Sequence, residues 1–277
     1  MELYINARGG FAGDMFAAAL ISAGADEKKV TGAMQKAAEK LGKASVRHVI
    51  TADGSSRMLI RVEHHHGHLS SHKAIHLLEH LMEELGIEEA YAEFGFKMLN
   101  ALIQAEKIAH ETHDFDMGDH HFHHHQHHHH PHNEDAESEH HHQHCHPHYS
   151  EPEAWLHEAQ DILIDIMGAV MGLQLLGVKP KAKLLFPVAY GGGSVSFSHG
   201  TLKVPAPATE VMIKSNPIPV VAGPIEIELF TPTGAAAFTA LGVTEVVDQP
   251  EGVVLRQGKS RGTKDLPVPP LEILIIA

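Results

Sequence analysis

The chain has 277 residues, enough for one large domain or two small ones, and its 43% hydrophobic content can supply a proper core. A formal net charge of −14, with histidine taken as neutral, argues against a general nucleic-acid binder and for attraction of cations. The single cysteine, Cys145, excludes an internal disulfide and suits a reducing compartment. With no basic leader before an apolar run, and no uncharged apolar run near the roughly 18 residues of a membrane span, the expectation is a soluble cytoplasmic protein with no membrane partner.

Leu3, Tyr4 and Ile5 predict a short strand, followed by the glycine-rich turn Gly9-Gly10-Phe11-Ala12-Gly13-Asp14 and a buried helix from Met15 to Ala23. A strand, a glycine turn and a helix start can hold an anion on free N–H groups, or can be a plain tight turn; Asp14 would repel a phosphate unless a divalent ion bridged them. Asp26 is placed to cap a helix through about Leu41, with Gly42 as its stop. Val46–Ala52 and Arg57–Glu63 predict two strands of a hairpin around Asp53-Gly54-Ser55-Ser56. The second strand runs into His64-His65-His66-Gly67-His68, and a helix is expected from about Ser71 to Leu85. There His72, His76 and His80 share one face, either as metal ligands or as a solvated face opposite Ile75, Leu78, Leu81 and Met82. A further helix, about Glu88 to Ile108, carries the apolar stripe Phe94, Met98, Ala101, Leu102 and Ala105.

Next comes a histidine-rich stretch with almost no aliphatic residues, which cannot offset its ordering entropy by burial and is expected to be a disordered surface insert. Its first cluster is His120, His121, His123, His124, His125, His127, His128, His129 and His130; its second is His140, His141, His142, His144 and His146, beside Cys145. Imidazole is a preferred ligand of nickel, zinc and copper, so these are candidate metal ligands. The stretch is internal and interrupted, unlike a purification tag.

A helix is expected from about Ala154 to Leu176, almost wholly apolar after Asp161, with Gly168 and Gly172 permitting close approach of another backbone. His157, Asp161 and Asp165 fall four apart on it, with Glu158 alongside. A carboxylate on a buried helix must be paired, hydrogen-bonded or metal-bound; the alternative is a stripe facing water. Strands are expected at Lys183–Tyr190, Val195–Phe197, Ile225–Phe230, Val253–Arg256 and Leu271–Ile276. Pro207 marks a helix start, and Thr231 or Thr233 can cap an alanine-rich helix through about Leu241. The alternation of strands and helices predicts an α/β fold, α+β being the alternative: a mixed sheet with packed helices. Residues 1–118 are its first part, 119–150 the insert, and 151–277 its second part with the central helix and late strands. There is no G-x-S-x-G, H-E-x-x-H or C-x-x-C motif, so nucleophilic or redox catalysis has no support.

Five stretches, in order, resemble the LarC-type nickel-insertion family: Gly9–Met15 (GGFAGDM); His157-Glu158 with Asp161–Gly168, similar to HE…DSIVDIVG; His199-Gly200 through Val204–Thr209, similar to HG…VPAPAT; Thr231–Ala236, similar to TPTGAA; and Gly262–Asp265, similar to GTRDL. His64–His68 with His72 resembles a sixth, HH-x-x-HR. The chain departs from the family pattern at Asn6, where an acid is usual, at Trp155, where a histidine is usual, and in a spacing from Glu158 to Asp161 that is two residues short. The resemblance covers the N-terminal part of the family, whose members continue into a C-terminal nucleotide-binding module.

The resemblance implies a nickel chelatase or cyclometallase-type lyase. It would deliver Ni(II) to a pyridinium bisthiocarboxylate mononucleotide, bond it to sulfur and carbon, and use CTP with Mn(II) or Mg(II). On that reading Asp14, His157, Glu158, Asp161, Asp165 and His199 are the catalytic candidates. Gly10, Gly13, Thr231, Thr233 and Gly234 would bind the precursor. His64, His65, His66, His68 and His72 would receive nickel captured by the insert. Expected partners are the precursor, a C-terminal nucleotide-binding module or the cofactor-accepting enzyme, and a second copy of the chain in a homo-oligomer. The alternative is a non-enzymatic nickel or zinc storage protein or metallochaperone.

Overall fold

The computed structural model describes residues 1–64, 69–112, 155–156, 161–197 and 200–277. Five helices and strands open the chain: β1 (Glu2–Asn6), α1 (Gly13–Ser22), α2 (Glu27–Leu41), β2 (Gly42–Ile50) and β3 (Ser56–His64). They are followed by β4 (Leu69–Ser70), α3 (Ser71–Glu84), α4 (Glu89–Thr112), β5 (Trp155–Leu156) and α5 (Ile162–Leu176). Then come β6 (Ala182–Leu184), β7 (Val188–Gly191), β8 (Ser194–Phe197), β9 (Gly200–Lys203), α6 (Pro207–Ser215), β10 (Val220–Ala222), α7 (Pro232–Ala240), β11 (Val254–Ser260) and β12 (Leu271–Ile276). The result is the expected mixed α/β architecture.

A six-stranded sheet in the order β2-β3-β11-β12-β1-β6 is its frame. The β2/β3, β11/β12 and β1/β12 pairs are antiparallel, whereas β6 beside β1 and β11 beside β3 are parallel. Strands from both ends of the chain therefore share one sheet. Alternation along β1 and β12 sorts the residues: Leu3, Ile5, Ile273 and Ile275 join the core, while Asn6 and Glu272 pair on the opposite face. α1 covers β3 and β11, α2 covers β2, and α5 lies across both helices. On its far side α5 meets α4, which also packs on α6 and α7. α5 is thus enclosed, and every residue of it except Gln174 and Leu175 is buried.

Local chemistry explains most boundaries. The Asp26 carboxylate accepts the Lys29 N–H at 2.9 Å and starts α2, which Gly42 ends. The Thr231 hydroxyl accepts the Gly234 N–H at 3.2 Å and starts α7. The β2–β3 hairpin pairs in register from Gly42↔His64 to Ile50↔Ser56.

Four expectations are corrected. α5 starts at Ile162 rather than near Ala154, because Trp155-Leu156 is extended and pairs with β4. The single strand at Lys183–Tyr190 is two: the chain bends at Leu185-Phe186, and Pro187, which has no N–H to donate, separates β6 in the main sheet from β7, which pairs with β10. Ile225–Phe230 is not a strand but a bent segment after Pro224, making only isolated bridges from Glu228 to Gly191 and from Phe230 to Phe11. Finally, Gly168 and Gly172 do admit a close neighbour, but it meets them with side chains. A Cβ at 168 would lie 2.7 Å from the Ala17 Cβ, and one at 172 would lie 2.8 Å from Leu20. No described helix is long and apolar enough to cross a membrane.

Candidate functional site

The glycine turn after β1 and the start of α7 interlock. Gly10 has φ +99°, and a Cβ there would lie 2.2 Å from the Leu229 carbonyl oxygen, so the turn needs glycine on both counts. Its backbone is fastened to the bent segment: Phe11 N–H donates to the Leu229 carbonyl at 2.7 Å, and Thr231 N–H donates to the Phe11 carbonyl at 3.3 Å. Gly13 N–H donates to the Thr233 hydroxyl at 3.2 Å, and the Thr231 and Thr233 hydroxyls lie 3.2 Å apart. The free N–H groups at the start of α1 are therefore partly used within the protein, which weakens the reading of this turn as a plain anion cradle.

Asp165 sits directly beneath the turn. A Cβ at Gly13 would lie 2.3 Å from Asp165 Oδ2, so the bare glycine is what lets the carboxylate in. Asp165 is 4% exposed, and its Oδ1 has no hydrogen-bond partner. Burial, then the charges of Asp161 and Asp14, push its carboxyl well above the ordinary carboxylate range; a hydrogen bond with the Thr233 hydroxyl opposes them. Burial also raises Asp14 to about 6, opposed by the 2.8 Å hydrogen bond from Met15 N–H and assisted by Asp161. Asp161 itself is exposed at the start of α5. The spacing of four thus leads one carboxylate to water and the next into the core. The charge of Asp161 acts on both Asp14 and Asp165, but among the described residues no group of three or more His, Cys, Asp or Glu side chains is gathered to hold a metal ion.

In front of the turn opens a cavity of about 500 Å³. Asp14 and Thr231 line it, together with Thr263 and Lys264 of the Gly262–Asp265 stretch and with Glu226, Glu228 and Arg261, which the sequence does not mark as site residues. Gly10, Gly13, Thr233, Gly234 and Asp165 stand behind this surface rather than on it. The Glu228 carboxylate accepts the N–H of Ala206, the residue before α6, while its Oε1 is buried without a hydrogen-bond partner. Burial raises Glu228 to about 7, against that hydrogen bond and the charge of Lys264. Arg261 is anchored by Asp53 Oδ2 at 2.5 Å and the Val268 carbonyl at 2.7 Å, which holds the loop of residues 261–269 as one wall. A clue to Glu228 lay in the sequence: it is a charge inside the apolar run Ile225–Phe230, just before Thr231-Pro232-Thr233-Gly234.

Of the histidine candidates, His72, His76 and His80 are exposed along α3. His64 ends β3, where its backbone pairs with Gly42. His65, His66, His68, the candidates from His120 to His146, and His157, Glu158 and His199 lie outside the described residues. The described flanks of two of these stretches nevertheless meet: Leu69, which follows His68, pairs with Leu156, which precedes His157.

A family model described as "Nickel insertion protein" matches residues 3–128 and 135–275. The chain is 30% identical over 282 aligned positions to the pyridinium-3,5-bisthiocarboxylic acid mononucleotide nickel insertion protein of Thermotoga sp. (strain RQ2), which covers 96% of this chain and 59% of that relative. It is 42% identical over 113 residues to a protein of the same description from Desulfitobacterium hafniense, covering 41% of this chain and 27% of that one. The chain spans little more than half the length of the relatives that it matches from end to end. No solved structure matches it.

Proposed function

This chain belongs to the nickel insertion protein family, and from that premise we propose that it inserts Ni(II) into a pyridinium-3,5-bisthiocarboxylic acid mononucleotide, with the metal as substrate and the cavity before the glycine turn as the seat of the nucleotide. The observation that carries this reading is the convergence of three family-like stretches, Gly9–Met15, Thr231–Ala236 and Gly262–Asp265, around that one cavity. Its volume of about 500 Å³ lies within the range of small-molecule sites.

On this reading the histidines of 120–146 capture nickel and those of 64–72 receive it; the pairing of Leu69 with Leu156 supports a short path toward His157 and Glu158. Asp14, Asp161 and Asp165 then act in metal handling beneath the nucleotide, with His157, Glu158 and His199. The described carboxylates do not by themselves make a three-ligand cage for Mn(II) or Mg(II). The C-terminal part of the relatives, to which this sequence has no counterpart in the alignment, supplies what completes the reaction. Localisation in the cytoplasm accords with the single cysteine.

The test is nickel-dependent mass spectrometry of the precursor, with the chain alone and with a separately supplied C-terminal module. Expected is the mass of the nickel adduct in wild type and its loss in the D161A/D165A variant. Unchanged insertion by that variant removes the carboxylates from the reading. A second reading, a metal-storage protein or metallochaperone, is favoured by the 28 histidines of the chain. It gives multi-ion binding with no metallated nucleotide under any of these conditions.

A further inference from the structure

The cavity wall carries charge of both signs: Asp14, Glu226 and Glu228 together with Arg261 and Lys264. Arg261 is already bonded to Asp53 and to the Val268 carbonyl. Glu226 is exposed, and Asp14 belongs to the carboxylate group around Asp161. Glu228 differs from both. It is set into the wall by the backbone of Gly191 and the N–H of Ala206, and one of its oxygens is buried with no hydrogen-bond donor facing it. A buried carboxylate oxygen without a donor is costly unless a positive charge arrives to balance it.

A pyridinium nucleotide brings such a charge in an unusual form. Its ring nitrogen is quaternary, bonded to the ribose, and has no N–H to donate. A counter-ion for it needs proximity and low dielectric rather than a directed hydrogen bond. We propose that Glu228 is the counter-ion of the cationic ring, and so the residue by which the site selects an oxidised pyridinium over a neutral ring of the same shape. The inference rests on the reading of the cavity as the nucleotide's seat and adds to it a specificity determinant. Burial already holds Glu228 near the point of ionisation at neutral pH, so the incoming cation completes its deprotonation. Lys264, exposed at the mouth of the same cavity, is available to the anionic groups of the same zwitterion.

The experiment is equilibrium dialysis with two probes: the pyridinium-3,5-bisthiocarboxylic acid mononucleotide and its 1,4-dihydropyridine form, identical in phosphate and ribose but neutral in the ring. Wild type is expected to bind the pyridinium form about tenfold more tightly than the dihydro form, and E228Q, which keeps the shape of the side chain, to bind the two equally. E228D, with the charge retained, restores part of the preference. A circular dichroism melt confirms that each variant is folded. If wild type and E228Q show the same preference, Glu228 is not the counter-ion, while the reading of the cavity stands. If wild type binds neither probe, that reading fails and takes this inference with it.

Discussion

Helices α3 and α5 carry the same pattern to opposite ends. Each places polar residues four apart: His72, His76 and His80 on α3, Asp161 and Asp165 on α5. On α3 the whole row is exposed, because the core-facing side is Ala74, Leu78, Leu81 and Met82 and the histidines fall on the other. On α5 the row dives inward within one turn, from exposed Asp161 at the N-cap to buried Asp165, since α1, α2 and α4 surround the helix. Spacing shows which side chains share a face. What that face meets is decided by elements far away in the sequence, and the chemistry follows from the meeting: exposed imidazoles on one helix, a buried carboxyl held above its usual range on the other.

Three experiments press on this contrast. The largest effect is expected from G13A, which drives a methyl into Asp165 (2.3 Å to Oδ2, 2.6 Å to Cβ) where neither backbone can give way. A loss of about 3 kcal/mol is expected, read as a fall of roughly 6–12 °C in the unfolding midpoint. A midpoint within about 2 °C of wild type would mean that the turn and α5 are not interlocked.

A smaller effect of opposite sign is expected from D165N. The folded state holds the Asp165 proton more tightly than the unfolded chain does, so the wild-type carboxyl favours folding most below the ordinary carboxylate range. That contribution is lost as pH rises through the raised folded value. Asparagine removes the loss, and D165N should melt about 3–6 °C higher than wild type at pH 7.5, with the gain vanishing near pH 3.5. Asp14 adds a similar decline in wild-type stability between its ordinary range and about pH 6. Parallel melting profiles for the two proteins across pH 3.5–7.5 would show that Asp165 is ionised throughout.

The smallest effect belongs to H72A/H76A/H80A. A solvated row should change stability by no more than about 0.5 kcal/mol in urea unfolding. A loss of about 2 kcal/mol or more would mean that this face of α3 is covered by something, and that the contrast with α5 is false.

Local signals were legible in the sequence. Asp26 before α2, Gly42 after it, the Asp53-Gly54 hairpin and the Thr231 cap all act within four residues, and each stands where the sequence put it. The candidate site was legible only in part. Asp14, Asp165, Gly13, Thr231 and Thr233 do come together, but their arrangement in two layers, one lining the cavity and one behind it, depends on contacts between residues 152 and 220 positions apart. The alternation of Glu226 and Glu228 with apolar neighbours is the pattern of a half-exposed strand, and nothing local shows that this segment instead leans on Gly191 and Phe11. Glu228 was hidden by that misreading.

The way in which this segment leans has a consequence for how the protein can change. The wall formed by residues 226–231 is fastened through main-chain atoms: Leu229 and Phe11, Phe11 and Thr231, Gly192 and Ile227, Leu229 and Tyr190. None of these bonds uses a side chain. A substitution at exposed Glu226 therefore exchanges what the cavity presents without shifting where it presents it, whereas one at Glu228 also gives up the hydrogen bond from Ala206. Variation can retune the ligand most cheaply at 226, while the glycines that allow the backbones to touch are the positions where drift is punished.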